Sequence, residues 1–194
     1  MRELKSETRK DEIVKTAAKL FKKKGYSAVT MRDIAKTMGI KAASLYNHIQ
    51  SKQDILKSII ISIAEEFTTG MELIKSSNTN SLEKLHQIVV LHVDITSRNT
   101  YQMAALNNDW MHLEDQLDYY LSLRQNYEDD FINIIQSGID AKEIVDSHPE
   151  IIMFSMLSTL RSLYLWIPKK EDLNHHELAE NLSNVLIKGI IVKL

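Results

Sequence analysis

The stretch from Thr30 to Lys52 constrains this chain more than any other, because it fits two short helices joined by a tight turn and little else. Thr30 stands where it can cap the first helix, with Asp33 at the third position to return a bond to the backbone N–H. Ile34, Ala35 and Met38 give that helix an apolar face at helical spacing. Gly39 supplies the left-handed residue that ends it, and Ile40 turns back toward the core. Leu45 and Ile49, four residues apart, hold the second helix down. The residues left facing outward are Lys41, Ala42, Ser44, Asn47 and His48. They are small or hydrogen-bonding, which suits a helix lying in the major groove of DNA.

Charge points the same way. Residues 1–57 hold 14 Lys and Arg against 6 Asp and Glu, a net +8, while the remainder nets −10 within a whole-chain charge of −2. A basic N-terminal module on an acidic body is the electrostatic footprint of a nucleic-acid binder, and the acidic body orients the approach by repelling DNA. The chain has no Cys, which removes disulfides, thiol catalysis and Cys-based zinc sites from consideration. Only five Gly and two Pro occur in 194 residues, and no alternating apolar run is evident, so the composition favours helices. The charged start lacks the apolar core of a signal peptide, and no uninterrupted run of eighteen apolar residues occurs. A cytoplasmic protein with no membrane partner is expected.

Beyond the opening motif the pattern is helical throughout. A first helix is expected over Glu7–Lys24, with Ile13, Ala17, Leu20 and Phe21 as its stripe and Gly25 as its stop. Ser51 and Asp54 cap a long helix from Lys52 to about Lys75. A polar break over residues 76–80 precedes a helix from Ser81, with Leu85, Ile88, Val89, His92 and Ile95 inward. Short helices and a turn are expected over Ser97–Leu113. A long helix over Gln116–Ser137 is expected to end at Gly138. Pro149 sits in the first turn of a helix running to Trp166 and stopped by Pro168. This helix is apolar on most of its circumference, which implies cover on all sides and, in a chain this small, a partner subunit. The last helix, about Asn174–Lys193, joins it in an expected four-helix dimer interface.

The motif residues carry a resemblance. Thr30, Arg32, Asp33, Ile34 and Ala35, then Gly39 and Ile40, then Leu45, Tyr46, His48, Ser51, Lys52, Ile55 and Leu56, resemble the DNA-binding domain of the tetracycline-repressor family. The match runs without a gap from about Ile13 to Leu56. It implies an all-α homodimeric regulator, with a helix-turn-helix domain over residues 1–56 and a helical effector-binding and dimerisation domain over 57–194. It implies double-stranded operator DNA and a small-molecule effector as partners. By position, Thr30, Tyr46 and Lys52 resemble the family's phosphate contacts, and Lys41 to Asn47 its recognition helix. The candidate DNA-contacting set is Thr30, Arg32, Lys41, Ala42, Ala43, Ser44, Tyr46, Asn47, His48 and Lys52. The family often has Lys-Gly where this chain has Ala42-Ala43, and Phe at Ile49, so the operator cannot be transferred from a relative. Tyr46 reaches a phosphate with its hydroxyl or is buried beside a local partner; His48 donates to phosphate or braces the turn.

In the body, Leu123, Tyr127, Phe131 and Gly138, then Pro149, then Ser162, Tyr164 and Trp166, resemble the C-terminal domain of repressors of fatty-acid and sterol catabolism, many of which bind acyl-coenzyme A. Ala141-Lys142-Glu143 departs from the Gly-Glu-Phe frequent in that branch. Candidate effector-binding residues are Phe67, His92, Met103, Trp110, Met111, Arg124, Tyr127, Phe131, Phe154 and Arg161. Aromatic and methionine side chains suit a hydrophobic tail better than a sugar, and the guanidinium forks of Arg161 and Arg124 suit an acidic head. Arg161 equally fits an internal ion pair or a dimer contact, since a buried charge needs a partner. No metal-binding His pair, nucleophile elbow or phosphate-cradling glycine loop is present, so no catalytic residue, metal or cofactor is expected. The competing reading is a helical DNA-binding or interaction module without an effector.

Overall fold

A computed structural model describes residues 8–170 and 174–191. Among them the chain is all-α, about 80% helical, with no strand and one isolated bridge between Ile144 and Ile191. The helices are α1 (Arg9–Lys24), α2 (Met31–Thr37), α3 (Ala42–Tyr46), α4 (Lys52–Ser76), α5 (Ser81–Arg98), α6 (Thr100–Asn108), α7 (Leu117–Asp140), α8 (Pro149–Arg161), α9 (Leu163–Trp166) and α10 (His175–Lys188). They form two compact units. The first holds the chain up to Ile63 together with Tyr101–Asp118, and the second holds Ala64–Thr100 together with the chain from Tyr119. The α4 helix contributes residues to both.

In the first unit local chemistry sets the helix ends. Thr8 caps α1 and Asp11 completes the box, so the helix begins at Arg9; Glu7 lies outside the described residues. Thr30 and Asp33 box α2: Asp33 N–H donates to the Thr30 hydroxyl at 3.2 Å and Thr30 N–H to the Asp33 carboxylate at 2.9 Å. A cap of this kind contributes about 1 kcal/mol. Gly39 follows at φ 67°, a conformation that disfavours a Cβ. Ile13, Phe21, Ile34, Leu45, Ile55 and Leu56 are all buried, and α2 packs against both α1 and α3. Ile40 is only half-buried.

In the second unit α5 packs against α10, α8 and α9, and the end of α4 and nearly all of α7 belong to the same unit. Two expected helix ends move. The α7 helix runs through Gly138 to Asp140. Gly138 is buried inside it because a Cβ there would stand 2.6 Å from Ile144 Cδ1 and 2.8 Å from Ser81 Cβ, so the residue admits a neighbour and does not terminate the helix. The helix from Pro149 ends at Arg161 and restarts at Leu163. Ser155, Thr159 and Ser162 bond back to the carbonyls four residues earlier, at 2.9, 3.2 and 2.9 Å. Such back-bonding competes with the helical ladder and bends it. Pro149–Lys169 is long and apolar enough by composition to cross a membrane, and 39% of its most apolar window is buried. Its uncovered face carries Ile151, Phe154, Leu165 and Trp166, exposed by 58, 69, 50 and 44%. The expected all-round cover is therefore absent within one chain. The last helix ends at Lys188, and Lys193 lies outside the described residues.

Candidate functional site

The outward side of α3 is built as the pattern demands. Leu45 is fully buried and Ile49 nearly so, and these two anchors press one side of the turn into the unit. Lys41, Ala43, Ser44, Asn47 and His48 are exposed on the other side and Ala42 is half-buried. Tyr46 is 52% exposed, which removes the alternative of a buried tyrosine. Thr30 and Arg32 are exposed at the start of α2. The Thr30 hydroxyl is committed to its cap, donating to the Asp33 carboxylate at 2.5 Å, and that bond with the Thr30 N–H holds the Asp33 carboxyl below the usual range. Helix α3 is a single turn with no side-chain cap, and the Ser44 and Leu45 N–H groups donate to the Lys41 carbonyl at 3.0 and 3.4 Å.

Lys52 sits at the N-terminus of α4 and is pinned there. Its ammonium donates to the Tyr26 carbonyl at 2.9 Å and lies 4.1 Å from the Tyr26 ring centre. An ammonium has three donors, so two remain for a phosphate at the positive end of α4. Tyr26 is the hub of a small network that sequence reasoning did not find. Its hydroxyl donates to Gln53 at 2.6 Å, Gln53 donates to the His112 carbonyl at 2.6 Å, and the Tyr26 ring stacks on His112 at 5.2 Å. Burial, then the charges of Glu114 and Asp109, push the Tyr26 phenol upward. Lys57 and Asp115 close the same face at 2.6 Å. The segment Tyr101–Asp118 thus packs as part of the unit that carries α3.

The candidate effector residues separate into two groups. Met103, Trp110 and Met111 fall in the first unit; Met103 is buried in its core, Trp110 is half-buried and Met111 is 59% exposed. Phe67, His92, Arg124, Tyr127, Phe131, Phe154 and Arg161 fall in the second. Three of these meet: Phe67 and His92 rings lie 4.5 Å apart, and Tyr127 stands edge-on to both at 5.9 and 5.8 Å. The His92 Nε2 and the Tyr127 hydroxyl are hydrogen-bonded at 2.9 Å. Burial, reinforced by the Arg161 charge, lowers the His92 pKa to about 3, so its ring is neutral; burial pushes the Tyr127 phenol strongly upward. Phe131 is fully buried. Phe154 is not inward: its 69% exposure puts it on the uncovered face of α8, which corrects its inclusion among core-facing residues.

Arg161 resolves as an ion pair. It donates to Glu128 at 2.6 Å, and Arg124 donates to the same carboxylate oxygen at 3.0 Å. Burial raises the Glu128 pKa, but the hydrogen bonds from Arg161 and Arg124 outweigh it and the carboxyl sits below its usual range. Two guanidinium groups sharing one carboxylate leave the cluster with a net positive charge. Glu128 was missed in the sequence, although its place four residues after Arg124 is the spacing of a helical ion pair. Thr96, one turn beyond His92, was missed as well.

A second feature is apolar. Ser158, Thr159, Ser162, Leu163 and Trp166, with Leu178 and Leu182 of α10, line an open groove of about 500 Å³. Ile151, Phe154 and Val185 extend the exposed apolar surface, Val185 at 75% exposure. Among the described residues no cluster of three His, Cys, Asp or Glu is grouped to hold a metal ion.

A basic helix-turn-helix module on an all-helical body defines a DNA-binding transcription regulator. The chain belongs to the tetracycline-repressor family: the family profile for tetR-type bacterial regulatory proteins matches residues 13–59, and that for the tetracyclin repressor-like C-terminal domain matches 78–190. Members of this family are regulators and not enzymes. The transcriptional repressor KstR2 of Mycolicibacterium smegmatis is 23% identical over 94% of this chain and 91% of its own. The ketosteroid transcriptional regulator KstR2 of Mycobacterium tuberculosis superposes with a TM-score of 0.91 at 19% identity, over 97% of this chain and 98% of its own. AibR, solved with isovaleryl coenzyme A and operator DNA, superposes at 0.75 with 20% identity, over 92% and 97%. Both likenesses establish the fold.

Proposed function

We propose that this chain is an effector-responsive transcriptional repressor that binds a palindromic operator as a homodimer. The observation that carries the reading is the outward face of α3: Lys41, Ser44, Asn47 and His48 are exposed, small or hydrogen-bonding, and rigidly backed by Leu45 and Ile49. One such face reads one half-site, with Arg32 beside it and Thr30, Tyr46 and Lys52 toward the phosphates; Ala42 and Ala43 let the backbone approach closely. Two half-sites require two copies about 34–36 Å apart along the duplex. The apolar groove of α8, α9 and α10 suits the second copy. Its serines and threonines admit a facing helix, and Phe154, Trp166 and Val185 supply area to bury. Arg161 and the serine and threonine residues among the groove's apolar side chains favour a protein neighbour over lipid. The repressor names of the relatives support repression, exerted in the cytoplasm where DNA is.

The division of labour falls near residue 56, with DNA reading before it and effector binding and dimerisation after. The effector is hydrophobic or amphipathic and carries an anionic group, as an acyl-coenzyme A does. Phe67, Tyr127 and Phe131 favour its apolar part. Arg124 and Arg161, positive in sum after Glu128, favour its acidic part. AibR, crystallised with an acyl-coenzyme A, supports that class. An effector bound in the second unit reaches α3 through α4, which is common to both units. The test is sedimentation of the protein alone and on DNA selected from a random library, followed by titration with acyl-coenzyme A esters of increasing chain length. A dimer, a palindromic selected sequence and release that depends on chain length and weakens in Arg161→Leu are expected. A stable micromolar monomer that grips an isolated half-site refutes the dimer. No release by any ester refutes the effector class.

A further inference from the structure

Three side-chain polar atoms in the second unit are sealed from solvent without a hydrogen-bonding partner among the described residues: Ser183 Oγ on α10 and, as a pair on α5, Nδ1 of His92 and Oγ1 of Thr96. His92 and Thr96 stand four positions apart on one face of α5 and are 3 and 0% exposed. An unpaired buried polar group costs about 1–3 kcal/mol. Such groups are rare in native interiors, and each one asks for a water, a ligand or a catalytic role. The His92 ring packs against Phe67 and Tyr127, and two such atoms one turn apart on the same helix face mark a place for a polar group of a ligand.

The chemistry of the pair narrows the ligand. The bond between Tyr127 and Nε2 leaves Nδ1 as the open edge of the ring. When Tyr127 donates to Nε2, Nδ1 carries the proton and donates. When Nε2 donates to Tyr127, Nδ1 accepts. The Thr96 hydroxyl does both. An alcohol satisfies either arrangement, and a carbonyl satisfies the first. A carboxylate fails, because its burial is uncompensated: His92 is neutral, and the nearby Arg161 already bonds Glu128 at 2.6 Å. A cation fails against the Arg161 charge, which already acts on both His92 and Tyr127.

We propose that the apolar part of the effector carries an uncharged oxygen, as a hydroxyl or a carbonyl, and that His92 Nδ1 and Thr96 Oγ1 bind it. The proposal rests on the reading that the second unit holds an effector, and it adds what the interior of that unit selects for. A pocket with polar groups to satisfy rejects an analogue lacking the oxygen far more strongly than an apolar pocket rejects one lacking a methylene. The regulator therefore discriminates oxygenated skeletons from the plain hydrocarbon.

The experiment uses the full chain with ring-¹⁵N-labelled histidine and three probes of nearly equal size: cyclohexanol, cyclohexanone and methylcyclohexane. His92→Gln identifies the His92 signal by its loss. The two oxygenated probes should shift that signal and bind about tenfold or more tightly than methylcyclohexane. Thr96→Val keeps the shape and removes the hydroxyl, so it should fold and bring the three probes within about threefold of one another. Thr96→Ser should retain the preference. Equal binding of all three probes to the natural chain, an unaltered preference in Thr96→Val, or no probe shifting His92 overturns the assignment. If the probes fail while acyl-coenzyme A esters still release DNA, the effector reading stands and this site falls. If the probes behave as expected while no ester releases DNA, the site stands and the ester class falls.

Discussion

The stability of this protein should depend on pH above the range where carboxylates titrate, and His92 is the cause. Its pKa falls from 6.5 to about 3 because burial, aided by Arg161, disfavours the imidazolium. Between those values the unfolded chain binds a proton that the folded chain refuses. Stability from this residue is therefore complete above pH 6.5 and drains away as the pH falls toward 3. With one unit worth about 1.4 kcal/mol, moving from pH 7 to pH 5 removes about 2 kcal/mol per protomer through this residue. The carboxylates held low by hydrogen bonds or ion pairs, Asp11, Asp33, Asp115 and Glu128, lose their contributions below their usual pKa near 4, outside that window. The assay is urea unfolding at pH 7 and pH 5 at one fixed protein concentration, so that any effect of self-association on apparent stability is held constant. His92→Gln keeps a bonding partner for Tyr127 and cannot titrate. The natural chain should lose about 2 kcal/mol more than this variant between the two pH values. Equal losses in the two proteins would show that His92 takes its proton in the folded state, and the argument for a sealed neutral ring would fail.

Gly138→Ala should destabilise the second unit by about 1–3 kcal/mol, since the overpacking against Ser81 Cβ, which is tied to the backbone, exceeds the gain in helix propensity; Gly189→Ala, with nothing within 4 Å of its Cβ, is the control, and equal thermal midpoints would contradict the packing account. On the DNA face, Asn47→Ala should relax base preference by about 1–3 kcal/mol at one position of each half-site. Lys52→Ala should weaken all sequences alike and lower the salt slope by about 1 per subunit. A selected sequence unchanged in Asn47→Ala, or a salt slope unchanged in Lys52→Ala, would mean that α3 presents another face or that Lys52 serves only Tyr26.

The first unit was legible because its signals are local. Thr30 with Asp33, Gly39, and Ser51 with Asp54 each act within four residues, and every one stands where the spacing puts it. The body was less legible wherever one signal has two physical uses. A glycine near the end of an apolar helix reads as a stop, yet Gly138 is there to admit Ile144 and Ser81, and Ser81 lies 57 residues earlier in the sequence. Apolar periodicity marks faces but does not say which face the same chain covers. Phe154 and Ile151 therefore read as core, although their own chain leaves them exposed. Met103, Trp110 and Met111 read as lining for the effector, but contacts such as Gln53 to the His112 carbonyl draw their segment into the first unit. Spacing alone gives no sign of that pairing.

Three features of the molecule share a physical property. Each is chemistry that a single chain leaves incomplete: donors and acceptors on α3 with nothing to contact, apolar area on α8 and α10 with nothing over it, and two sealed polar atoms on α5 with nothing to bond. A fold selected for stability alone would remove all three, since a polar α10 face and Val in place of Thr96 are both cheaper in isolation. Their presence is explained if each is completed by a different partner. The three completions differ in kind: base edges and phosphates, apolar surface from a second copy, and one uncharged oxygen. A substitution that removes one should leave the chemistry of the others intact. Thr96→Val should therefore change which molecule releases DNA while leaving the sedimentation coefficient and the selected operator as they are. If Thr96→Val altered the operator or dissolved the dimer, the orphaned pair on α5 would be part of the scaffold, and its role in selecting the effector would be lost.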